Sequence, residues 1–157
     1  MKVLSSSKGI GGQLTGFRKL VGESNKITFI GSPGFCSPFA ELMGYVLRGT
    51  DQKMAFISNL EFDSAKSVVS TSDGMQFGEI TDAHADTAVI LGGLAMPKIG
   101  IDPKAMHEMV ERVFEGAERK LIIGVCFQSI FQEQKWTEHI DFDYIVDADL
   151  SVDVIEM

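Results

Sequence analysis

The 157 residues are one domain's length, enough to bury a core, and 45% apolar against 23% charged content excludes a disordered chain. The formal net charge of -8 repels a phosphate backbone and argues against nucleic acid as a partner. Two cysteines, Cys36 and Cys126, are too few for a disulfide framework, so a reducing cytoplasm is the expected compartment. No apolar run approaches the ~18 residues of a spanning helix, and Met1 to Ser5 lack the apolar core of a signal peptide, so no membrane partner is expected.

Residues 1–25 are rich in Ser and Gly, with Ile10, Leu14, Phe17 and Val21 at the spacing of a short surface helix. Ile27 to Ile30 is a buried strand that stops at Gly31-Ser32-Pro33-Gly34. Ser37 then caps a helix opened by Pro38 and closed by Gly49, with Phe39, Leu42, Met43, Val46 and Leu47 on its apolar face. Met54 to Ile57 is a second strand. Ala65, Val68 and Val69 suggest a helical turn, and Met75 to Ile80 a small strand. Thr87 to Leu91 is a buried strand closed by Gly92-Gly93. Asp102 caps a helix opened by Pro103 that runs to Lys120, followed by a strand from Leu121 to Val125 and a helix from about Phe127 to Gln134. Tyr144 to Val146 is a further strand, and the alternation of Leu150, Val152 and Val154 with Ser151 and Asp153 predicts one more at an edge. Strands alternating with helices predict one α/β domain over 1–157, a three-layer sandwich on a mostly parallel sheet, flavodoxin-like or Rossmann-like.

Ligands of such sheets collect at the carboxyl ends of the strands, near the point where strand order reverses. Three segments are expected there: Gly31 to Ser37, Gly92 to Pro97, and the junction at Cys126. Cys126 is read as closing a strand and opening a helix, where the positive end of the helix dipole favours a thiolate. The N–H of Phe127 and of Gly92 or Gly93 can then form a nest for an oxyanion. The alternative is a small buried hydrophobe. Gly31, Ser32, Gly34, Cys36 and Ser37 offer glycines, hydroxyls and amides to an anion, or form an ordinary turn. His139 is a base candidate or a packing histidine, and His84, between Asp82 and Asp86, is a weaker metal candidate. The seven carboxylates from Trp136 to Met157 do not fit a calcium loop and are read as a solvated edge.

Asp86-Thr87-Ala88-Val89-Ile90-Leu91-Gly92-Gly93 resembles the strand-plus-Gly-Gly segment of the ThiJ/PfpI group of class I glutamine-amidotransferase-like proteins. Gly124-Val125-Cys126 resembles that group's nucleophile elbow. Gly34-Phe35, Val46 to Gly49 and Tyr144 to Leu150 fit the same order of pieces. The resemblance implies a flavodoxin-like sandwich and, in active members, a cysteine-dependent hydrolase, deglycase or hydratase. Phe127 stands where that group often has a histidine, and Phe39, with Glu41 two places on, where it often has an acid. The whole chain is also similar to a family of small uncharacterised proteins from methanogenic archaea, which implies no known activity.

Two functions follow as expectations. One is a binding domain for a small molecule or anion, with a degenerate ThiJ/PfpI-like site between the glycine loops, in a monomer or a homodimer. The other is an enzyme with Cys126 as nucleophile, tuned by Glu41 or His139, with Gly92, Gly93 and Phe127 supplying oxyanion donors. Neither requires a cofactor or a metal.

Overall fold

The computed structural model describes residues 1–157. The chain forms α1 (Gly9–Leu20), β1 (Lys26–Gly31), α2 (Ser37–Val46), β2 (Lys53–Ser58), β3 (Lys66–Thr71), β4 (Gly74–Ile80), β5 (Thr87–Leu91), α3 (Pro103–Val113), β6 (Leu121–Phe127), α4 (Ile130–Glu133) and β7 (Tyr144–Ala148). One seven-stranded sheet runs in the order β4-β3-β2-β1-β5-β6-β7. Strands β2, β1, β5, β6 and β7 are parallel, and β3 and β4 add an antiparallel hairpin beside β2. No helix is long and apolar enough to cross a membrane.

Side chains alternate across the sheet, and each face has its own core. Ile27 and Phe29 of β1 with Val89 and Leu91 of β5 meet Phe17 and Val21 at α1 and Ala40, Met43 and Leu47 at α2. Ile30 and Ile90 point the other way, onto Met106, Val110 and Val113 of α3 and Phe131 of α4. This is the three-layer α/β sandwich expected from the alternating pattern. Two of the polar groups inside it are paired: Thr28 donates to the Ala83 carbonyl at 2.8 Å, and the Ser24 and Thr87 hydroxyls lie 2.6 Å apart.

Several local expectations are corrected. The 10–21 helix is an integral part of one layer, because Phe17 and Val21 are buried there. Ala65, Val68 and Val69 form no helical turn. The β-branched pair belongs to β3, whose inward residue Val68 packs under α2. Ser37 does not cap α2 with its side chain; its Oγ accepts the Gly34 N–H at 2.9 Å, and Cys36 occupies the cap position.

Asp102 does cap α3, accepting the Lys104 N–H at 2.9 Å, but α3 stops at Val113 rather than Lys120. Gly116, at φ +81°, turns the chain away three residues later. The helix expected from Phe127 is only the four residues of α4. β6 continues through Phe127, and Gln128 and Ser129 both adopt left-handed backbone before the helix begins. Leu150 to Val154 form no strand: β7 ends the sheet, the Leu150 N–H donates to Gln128 Oε1 at 2.7 Å, and residues 151–157 beyond it are exposed.

Candidate functional site

The parallel strands end together at the loops after β1, β5 and β6. Strand order reverses between β1 and β5, which leaves a crevice there. The crevice holds a cavity of about 390 Å³ lined by Phe35, Cys36, Phe39, Leu91, Gly92, Gly93, Met96, Val125, Phe127, Ile130 and Leu150. Nine of these eleven residues are hydrophobic and none is charged. The rings of Phe39 and Phe127 meet across it at 5.2 Å and 59°, and the exposed Phe35 stands at the rim.

Gly92 and Gly93 bring the walls together. A Cβ on Gly92 would fall 2.5 Å from Cys126 Cβ and 3.0 Å from its Cα; one on Gly93 would fall 2.5 Å from Cys36 Sγ and 2.8 Å from the Phe35 ring. The dipeptide therefore passes between two cysteines that belong to the cores on opposite faces of the sheet. Its glycines serve close approach.

Cys126 is not at a helix N-terminus. It is buried within β6, and its thiol donates to Asp147 Oδ1 on β7 at 3.2 Å. Burial, then the Asp147 charge, then that hydrogen bond push its pKa far up, opposite to the lowering expected from a helix dipole. Ser129 fixes the same carboxylate, donating its N–H to Oδ1 and its hydroxyl to Oδ2, each at 3.0 Å.

Cys36 is the thiol that lines the cavity. Burial raises its pKa too, opposed by backbone hydrogen bonds from Ser32, Gly93 and Leu94. The amide donors expected around Cys126 thus gather partly around Cys36. Two buried thiols with raised pKa values favour the neutral form, which is the weak nucleophile.

Of the other candidates, Gly92, Gly93 and Phe127 reach the cavity. Gly31, Ser32, Gly34 and Ser37 do not line it. Gly31 lies under the Cys36 side chain, the Ser32 carbonyl accepts the Cys36 N–H at 2.8 Å, and Gly34 and Ser37 bond to each other. Neither Glu41 nor His139 lines the cavity or contributes to the Cys126 shift. His84 lies at the opposite end of the sheet, with Nδ1 2.6 Å from Asp82 Oδ1 and Nε2 3.6 Å from Glu115 Oε2.

Sequence reasoning missed Phe39, Leu91, Val125, Ile130 and Leu150 as lining, while Phe35 and Met96 lie in the two loops it placed at the site. The mixed signal was visible at Phe39, an aromatic placed where the resembling group has an acid.

A family model described as "Uncharacterized protein conserved in archaea (DUF2124)" matches residues 8–151. An uncharacterised protein of Methanocaldococcus jannaschii is 39% identical over 157 residues, covering 98% of this chain and 94% of its own. One of Methanothermobacter thermautotrophicus is 38% identical over 151 residues, covering 96% and 95%. A crystal structure of a protein of unknown function from M. thermautotrophicus superposes with a TM-score of 0.91 at 35% identity, covering 100% of this chain and 99% of that one. The expected likeness to small methanogen proteins is thereby shown, and the ThiJ/PfpI resemblance is not.

Proposed function

We propose that this chain, which belongs to the DUF2124 family of uncharacterised archaeal proteins, is a small-molecule-binding domain. Its ligand places an uncharged, mainly apolar, ring-sized body against the contacting rings of Phe39 and Phe127, which form one wall of the cavity. The observation that carries this reading is the cavity itself: about 390 Å³, at the switch point of the sheet, walled by apolar side chains. That volume is within the usual ligand range of roughly 300–1,000 Å³. An anion seated there would lose its hydration and meet no Lys, Arg or His on the wall, which is costly. The uncharged body is therefore favoured over the anion that the glycine loop suggested.

Titration with an uncharged solvatochromic dye such as Nile red tests this. Saturable binding at one dye per chain is expected, with affinity about tenfold or more weaker in Phe127→Ala, the loss of a well-packed aromatic anchor. Inorganic phosphate leaves the titration unchanged. Absence of saturable binding, or equal affinity in Phe127→Ala, overturns the reading.

A further inference from the structure

The two ends of the chain carry exposed apolar side chains and no secondary structure. No backbone hydrogen bond involves residues 1–7 or 151–157. Val3 and Leu4 are 77% and 68% exposed, and Val152 and Val154 are 82% and 98% exposed. In the C-terminal segment these valines alternate with Ser151 and Asp153, the pattern of a strand with one face against a partner. The fold supplies no such partner. An unpaired row of amides and carbonyls carrying β-branched side chains is a template for an added strand.

The two segments also differ in charge. Residues 1–8 carry Lys2 and Lys8 and no carboxylate side chain; residues 149–157 carry Asp149, Asp153 and Glu156 and no Lys or Arg. Both emerge near the carboxyl end of the sheet. Met1 Sδ accepts from Gln132 Nε2 at 3.8 Å beside α4, and Leu150 sits on the cavity wall. Within one chain no hydrogen bond joins the two segments.

We propose that these ends bind a second copy of the chain. The basic 1–8 segment of one protomer pairs with the acidic 149–157 segment of its partner, and the reciprocal pairing closes a two-fold dimer. Each protomer presents one segment of each sign, so the contact is self-complementary and saturates at two chains. Opposite charges set which segments meet, and the valines give them a face to bury.

Sedimentation velocity from low to high micromolar concentration provides the test, with full-length variants whose changes lie in exposed segments and leave both cores intact. The wild type is expected to dimerise, and Val152→Ser with Val154→Ser to weaken the dimer about tenfold or more. A Lys2→Glu, Lys8→Glu protein and an Asp153→Lys, Glu156→Lys protein are each expected to be weaker alone. An equal mixture restores dimers, because acidic meets basic at both pairings only in the mixed species. A monomer at every concentration overturns the proposal. So does a dimer that none of these substitutions weakens, which would place the interface elsewhere, or a mixture that fails to recover.

Discussion

Cys126 and Cys36 are separated by the Gly92-Gly93 backbone, and both are held neutral by burial. An unfolded thiol titrates near 8.5, and both folded thiols titrate higher. Above that pH the unfolded chain therefore loses protons before the folded one, so stability falls as pH rises; below about 8.5 the thiols' contribution is fully present. Denaturant midpoints measured from about pH 7 to about pH 10 are expected to fall more steeply in the wild type than in Cys36→Ala, Cys126→Ala. Equal slopes would remove the thiols from the alkaline loss. Alkylation of either cysteine should stay slow until the protein unfolds. Cys126 was legible in the sequence as a residue at the end of a buried strand. Asp147 was not legible as its partner, because 21 residues and a change of strand separate them. The sign of the pKa shift was lost with that contact.

Among the elements, α1 illustrates why glycine counts mislead. Gly11, Gly12 and Gly16 weaken the helix signal by propensity, yet burial of Phe17 and Val21 outweighs it. A methyl group added at Gly11 would meet no atom within 4 Å, whereas one at Gly92 would lie 3.0 Å from the Cys126 Cα. Gly11→Ala is expected to stabilise by about 0.5–1 kcal/mol, from lost unfolded-state freedom and better helix propensity. Gly92→Ala is expected to destabilise by about 1–3 kcal/mol through overpacking. Chemical denaturation of the two variants beside the wild type checks both signs. β1, β5 and the start of α3 were readable because local signals agreed: apolar runs, a Gly-Gly stop, an Asp-Pro cap. The helix ends at Val113 and near Phe127 were not, because left-handed turns at Gly116, Gln128 and Ser129 decide them. A left-handed Gln and Ser carry no strong sequence signature.

For the molecule as a whole, the order of the parallel strands follows from alternating elements and right-handed crossovers, so the sandwich and the position of its crevice were legible. The composition of the crevice was not, since its wall is assembled from several loops and the start of the tail. The two cores share every parallel strand between them, so neither face can unfold while the other keeps its packing. Fluorescence of Trp136, buried in the α3 face, is expected to change together with far-UV circular dichroism in a single denaturant transition. Separate midpoints would show that the faces unfold independently.

The β3–β4 hairpin gives the molecule a handle. β3 runs antiparallel to β2, so its tip at Ser72 and Asp73 emerges at the amino end of the parallel strands, away from the crevice. β4 lies three strand spacings from β1, about 14 Å. Thr71 Oγ1 already closes the turn, donating to the Gly74 carbonyl at 2.8 Å and accepting the Asp73 N–H at 3.1 Å. An epitope or fluorophore-bearing peptide spliced between Ser72 and Asp73 would leave both chain ends and the ligand mouth unencumbered. The protein can thus be immobilised or tracked without blocking either contact it is proposed to make.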